Sequence, residues 1–224
     1  MSRPIAVLRP EPGNTATAAA IEALGLTAIR LPLFAVHAID WTPPDVTRFD
    51  TLLLTSANAP RHAGLGLALL KGLPVHAVGT ATAAIARDAG LKVVAVGDHD
   101  AATLVAAAAA SGVSNALLLG GRDRAMDEHP IIAETIAVYA SDAVSVALEA
   151  LDQLAGSVML LHSQRAARRA ADLIDRAGLD RRTVRVAAIS TAVAEAAGGS
   201  WERIAAASTP DDPALISLAR SLAD

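Results

Sequence analysis

The sequence predicts an α/β protein with two parallel-sheet domains, one of them assembled from both ends of the chain. Three observations carry that expectation. Short apolar runs alternate with helical patterns almost throughout, and strands separated by helices build parallel sheets covered on both faces. The strand–helix pattern then repeats within the chain. The second copy of the repeat stops one strand short, and a matching strand is available at the N-terminus.

Taken in order, Ile5 to Leu8 reads as a strand and Thr15 to Leu24 as a helix ended by Gly25. Thr27 to Ile39 is extended, interrupted by Pro32. Thr51 to Leu54 is a strand leading into a helix over Asn58 to Leu70. Val75 to Val78 leads into Thr80 to Ala89, closed by Gly90. Val93 to Val96 precedes the helix Ala101 to Ala110, and Ala116 to Leu119 is a further strand. Thr135 to Tyr139 is extended and Val144 to Leu154 helical. Val158 to Leu161, Arg185 to Ile189 and Ile204 to Ala207 are strands, each followed by a helix.

The repeat sets the domain plan. Val75 to Ala83 lies over Val186 to Ala194, and Lys92 to Leu104 over Arg203 to Leu215, both at an offset of 111. Leu53-Leu54-Thr55-Ser56 lies over Leu160-Leu161-His162-Ser163 at an offset of 107, and loop slack reconciles the two. The first copy ends on a fourth strand, Ala116 to Leu119, whose counterpart in the second copy is Ile5 to Leu8. This predicts a discontinuous domain of residues 1–31 and 141–224, an inserted domain of 49–133, and a linker of 32–48 and 134–140 whose extended segments pair as two strands.

The bulk numbers agree. The 224 residues, 53% hydrophobic, suffice for a core in each of two domains of about 100 residues. Aromatics make up only 2%, and Ala, Val and Leu suit layered helices on sheets. A net charge of -4 speaks against a nucleic-acid partner, which calls for a basic face. The absence of cysteine removes disulfides, zinc–thiolate and iron–sulfur sites and thiol nucleophiles, and fits a cytoplasmic compartment. Met1-Ser2-Arg3-Pro4 runs straight into a strand and does not read as a signal peptide. No apolar run reaches the ~20 residues of a membrane span, so no membrane association is expected.

Open parallel sheets bind ligands at the carboxyl ends of their strands, against helix N-termini. Those ends carry Arg9, Thr55-Ser56-Ala57-Asn58, Gly79-Thr80-Ala81-Thr82, Gly97-Asp98, Gly120-Gly121-Arg122, Ser163-Gln164-Arg165, Ser190-Thr191 and Ser208-Thr209. Small hydroxyl residues there serve as helix caps. The same ends expose backbone N–H groups and the positive end of the helix dipole to anions. With Arg9, Arg122 and Arg165 nearby, the pattern predicts a polyanionic small molecule held in a cleft between the domains. No phosphate loop or dinucleotide fingerprint occurs. His37, His62, His76, His99, His129 and His162 lack metal-ligand spacing and read as surface or packing residues, His99 standing in the helix-start cluster Asp98-His99-Asp100. Lys71 and Lys92 sit away from strand ends, against a Schiff-base role. Tyr139, the only tyrosine, ends the second linker segment. It is either a hinge-packing residue or a neutral phenol able to donate to a leaving group.

These residues together resemble the uroporphyrinogen-III synthase family over nearly the whole chain. The resemblance rests on Val7-Leu8-Arg9-Pro10-Glu11-Pro12-Gly13, Leu31-Pro32-Leu33, Thr55-Ser56-Ala57-Asn58-Ala59 and Ala77-Val78-Gly79-Thr80-Ala81-Thr82-Ala83. It continues through Gly121-Arg122, Val138-Tyr139, His162-Ser163-Gln164-Arg165-Ala166 and Ile189-Ser190 ahead of Ala192-Val193-Ala194-Glu195-Ala196. It implies two Rossmann- or flavodoxin-like domains joined by a two-stranded β linker. It also implies a cofactor-free, monomeric enzyme acting on hydroxymethylbilane, a linear tetrapyrrole with eight carboxylates. By resemblance Tyr139 assists departure of the substrate hydroxyl, and Ser56, Thr82 and Ser163 line the cleft. Some members of the family carry a second threonine where this chain has Val193, the repeat partner of Thr82. That puts side-chain catalysis from this part of the second domain in doubt and leaves the amides of Ser190 and Thr191 to hold a carboxylate. A transient contact with the preceding enzyme of the pathway is a further expectation. The competing reading is a non-catalytic, two-lobed small-anion binding protein.

Overall fold

A computed structural model describes residues 2–97, 101–123 and 129–224. The Asp98-His99-Asp100 cluster lies outside the described residues. The chain divides into one unit of Met1–Ala35 with Asp142–Asp224 and a second of Val36–Ser141.

The first unit contains β1 (Ile5–Val7), α1 (Gly13–Glu22) and β2 (Ala28–Arg30) from the N-terminal end. From the C-terminal end it takes α5 (Leu148–Leu151), β9 (Val158–Leu161), α6 (Gln164–Arg176), β10 (Arg185–Ala188), α7 (Thr191–Ala197), β11 (Arg203–Ala206) and α8 (Asp212–Ala223). Its sheet is parallel, in the order β11-β10-β9-β1-β2. The N-terminal strand thus completes the C-terminal sheet, as the repeat requires. Strands β1 and β9 are buried along their whole length, which is why they read as unbroken apolar runs. Their side chains alternate between faces. Ala6, Met159, Leu161 and Val186 pack under α6 and α7, while Ile5, Val7, Val158 and Leu160 pack against α1 and α8.

The second unit contains β4 (Thr51–Leu54), α2 (Asn58–His62), β5 (Pro74–Val78), α3 (Thr80–Asp88), β6 (Lys92–Gly97), α4 (Ala101–Ala110) and β7 (Ala116–Gly121). Two strands, β3 (Phe34–Ala38) and β8 (Ile132–Ala143), carry the chain across the boundary between the units. They are neighbours in a six-stranded sheet ordered β3-β8-β7-β4-β5-β6. The linker segments are therefore not a free-standing ribbon, because β8 also pairs in parallel with β7. Leu52, Leu54, Val75, Ala77, Leu117 and Leu119 fill one face of this sheet, and Leu53, Ala116 and Leu118 pack under α4 on the other.

Two helices differ from expectation. The segment expected as one helix from Asn58 to Leu70 breaks into α2 and a 3-10 stretch, Gly64–Leu70. Gly64 takes φ +60 at the break, outside the right-handed helical region. The segment Val144 to Leu154 is helical only from Leu148, passing into a 3-10 turn over Asp152–Leu154. Its first residues continue the extended chain of β8, and the Val144 N–H donates to the Leu33 carbonyl at 3.1 Å.

Candidate active site

In the second unit, Tyr139 sits in β8 opposite Gly121 at the carboxyl end of β7. The Arg122 N–H donates to the Tyr139 carbonyl at 2.8 Å, so the backbone holds the phenol against the glycine. The ring packs on the core of this unit while remaining partly exposed. The His62 ring centroid lies 6.2 Å from it, tilted by 37°. Partial burial, then the charges of Arg61 and His37, lower the His62 pKa, so that ring is neutral at pH 7. Arg122 is exposed and pairs with Asp123 at 3.3 Å.

The carboxyl ends of β4 and β5 behave differently. Ser56 Oγ accepts from the Asn58 N–H at 3.2 Å, a local turn just ahead of α2. Thr55, Ser56, Ala57 and Asn58 are all half-buried. Helix α3 starts at an exposed Thr80 and is preceded by Gly79, which has no side chain to cap it. Its first turn keeps backbone donors for an anion. Thr82 is only 5% exposed, and so is Val193, its repeat partner in α7. Both positions turn toward their sheets, which explains why valine serves at the second. Thr82, which the resemblance places among the cleft-lining hydroxyls, is buried in the first turn of α3.

In the first unit, Arg9 follows β1, but its guanidinium is engaged. Nη1 donates to both oxygens of Asp212, at 2.9 and 2.7 Å. Thr17 Oγ1 donates to Asp212 Oδ2 at 2.9 Å. His162, at the end of β9, brings Nε2 to 3.3 Å from Asp212 Oδ1. The approach is within ion-pair reach, but neither ring nitrogen makes a hydrogen bond of good geometry. His162, with Arg9 adding its charge, holds the Asp212 carboxyl at about 2 against the raising effect of burial. Burial lowers the His162 pKa in turn. Sequence reasoning missed this cluster. The one signal was the Asp211-Asp212-Pro213 start of α8, which reads as a cap, and Asp211 does accept from the Ala214 N–H at 2.8 Å.

The remaining residues of this unit sit at helix starts. Ser163 caps α6, accepting from the Ala166 N–H at 3.1 Å. Gln164 and Arg165 are exposed in the first turn. The Arg165 guanidinium lies 4.5 Å from the centroid of the Phe34 ring. Ser190 caps α7, accepting from the Val193 N–H at 3.4 Å, with Thr191 exposed beside it. Capping is thus realised at Ser163 and Ser190, while Ser56 makes a turn ahead of α2. Among the described residues no group of three or more His, Asp or Glu side chains could hold a metal ion.

Comparison with known proteins decides the family. The profile described as Uroporphyrinogen-III synthase HemD matches residues 15–217. The chain belongs to the uroporphyrinogen-III synthase family. The matched span runs through both units and both crossing strands. Among solved structures, the chain is similar to the uroporphyrinogen-III synthetase of Helicobacter pylori, with a TM-score of 0.66 at 18% identity, covering 98% of this chain and 99% of that one. It is also similar to a mutant uroporphyrinogen III synthase of Thermus thermophilus, with a TM-score of 0.56 at 18% identity and 99% of each chain covered. At that identity the likeness concerns the fold, and it places the mixed α/β architecture with this family's. No curated protein matches the chain.

Proposed function

We propose that the chain closes hydroxymethylbilane into uroporphyrinogen III, a cyclising loss of water on the route to porphyrins and heme. The family match over residues 15–217 carries this reading. The C–O bond to the terminal hydroxyl breaks, water leaves and an azafulvene remains. Ring D attacks through its substituted carbon, and the resulting spiro intermediate fragments and recloses with ring D inverted. The protein's task is to fold the substrate into the reactive conformer and hold its carboxylates, so preorganisation supplies much of the acceleration.

Tyr139 is the group assigned to the departing hydroxyl. It is a phenol within β8, beside the carboxyl end of β7 and braced on Gly121, near a His62 whose basicity is lowered. The uncapped first turn of α3 suits one carboxylate, and the amides at Ser190 and Thr191 suit another. Arg165 contributes charge. Arg9 contributes less than its position suggests, because Asp212 already occupies it.

Among the described residues no helix is long and apolar enough to cross a membrane, and the reading includes a monomer working in the cytoplasm beside the enzyme that makes its labile substrate. The test is ring closure itself. The protein is mixed with hydroxymethylbilane and the products are separated into isomers I and III. Isomer III in excess of the spontaneous isomer I is the expected result, and isomer I alone sinks the assignment.

A further inference from the structure

Helix α6 carries a second feature that the reaction as described does not use. Its sequence, QRAARRAADLIDR, divides cleanly into two faces. Ala166, Ala167, Ala170, Ala171 and Ile174 are buried against the sheet. Arg165, Arg169, Asp172 and Arg176 follow one another at helical spacing on the other face, with Arg168 alongside. This face borders a concavity of about 310 Å³, lined by those four arginines and Asp172, with Phe34 and Leu173 as apolar walls.

The concavity is built for an anion with a flat apolar body. Two guanidiniums lie over the Phe34 ring, that of Arg165 at 4.5 Å and that of Arg169 at 5.7 Å. Arg169 is anchored by Nη2, which donates to the Val144 carbonyl at 2.5 Å. Its Nε is buried without a hydrogen-bond partner among the described residues. Four guanidiniums against one carboxylate make a local positive field on a chain whose net charge is -4. Such a field matters most for a ligand that the rest of the protein repels.

We propose that this concavity seats one pyrrole ring of the tetrapyrrole, pairing its two carboxylate arms with the α6 arginines. The inference rests on the functional reading above and names capture residues for that reaction. The ring stacks on the planar guanidiniums of Arg165 and Arg169 that cover Phe34, with Leu173 beside them, and Arg168 and Arg176 bind the carboxylates through charge-assisted hydrogen bonds. Asp172 limits the affinity so that product can leave.

The test uses the full chain with two readouts. In calorimetry, pyrrole-3,4-dicarboxylate should bind the wild type about tenfold more tightly than Arg168→Gln/Arg176→Gln, and Asp172→Asn should tighten it. In kinetics with hydroxymethylbilane, the double variant should lower kcat/KM about fivefold or more, with a smaller change in kcat and a flatter salt dependence. Arg168→Lys/Arg176→Lys should recover part of the loss, since the charge remains. An active wild type whose kcat/KM and probe affinity are indifferent to the double variant would overturn the α6 site alone. A wild type that makes no isomer III would overturn the functional reading, and with it this inference.

Discussion

A β-carbon on Gly121 would stand 2.8 Å from Cζ of Tyr139 and 3.1 Å from its hydroxyl oxygen. No real β-carbon tolerates that approach, so the phenol's position depends on the absence of a side chain across the β7–β8 ladder. Glycine here serves close packing.

The pair makes a two-sided prediction. Tyr139→Phe keeps the ring and deletes the oxygen, and should slow isomer III formation with little change in stability. General-acid assistance is typically worth ~10²–10⁴-fold, and spontaneous loss of water by the substrate places the observed effect at or below that range. Gly121→Ala keeps the oxygen but displaces the ring, and should cost about 1–3 kcal/mol from overpacking as well as activity. Rates and isomer ratios beside urea melts check both. A Phe variant as fast as wild type would leave Tyr139 a packing residue.

Arg9 and Asp212 predict a stability effect. Arg9→Gln removes the cation from a half-exposed carboxylate and should cost about 1 kcal/mol after solvent screening. Its effect on substrate affinity should be smaller than that of Arg165→Gln. Asp212 sits at about 2 in the folded protein, below its ordinary 3.8. Its contribution is therefore complete above about pH 4 and lost as pH falls toward 2. The stability gap between wild type and Asp212→Asn should narrow across that window in acid titrations followed by circular dichroism.

His162 predicts a second pH dependence at higher pH. Burial lowers its pKa below the ordinary 6.5, so on acidification the unfolded chain takes up the proton first. Stability is full above 6.5 and declines as pH falls through and below that value. His62 and His76 are lowered in the same direction. Urea melts at neutral and mildly acidic pH should show wild type losing stability, and His162→Gln should lose less. Equal losses would place the dependence on the other two histidines.

Ser163 separates capping from binding. Ser163→Ala should cost about 1 kcal/mol and Ser163→Gly only a few tenths, the usual ranking at an N-cap. If substrate meets α6 through amides, KM should stay within about twofold in both. A large rise in KM at unchanged stability would instead make the hydroxyl a direct ligand.

Much of the fold was legible because repeat and register are carried by local pattern. Leu52 pairs with Val75 and Met159 with Val186; Pro74 pairs with Lys92 and Arg185 with Arg203. Positions matched in sequence are therefore matched in the ladders. The correspondence slips only where an irregularity after Val75 shifts the β5–β6 register. The site was legible as a set of strand ends and less so as a set of roles, since cap and ligand residues have the same composition.

The sequence by itself determined the alternation of strands and helices, the borrowing of an N-terminal strand, the family, and the short list of residues at strand ends. Each follows from apolar periodicity and chain order, which survive in one dimension. Only the tertiary structure decided which partners those residues meet. Arg9, Thr17, His162 and Asp212 come from separate segments and meet only in the folded unit. Thr82 turns inward because of the helical phase of α3 on its sheet. Partner identity and burial are long-range properties, set by packing across many residues of chain, and no local pattern encodes them.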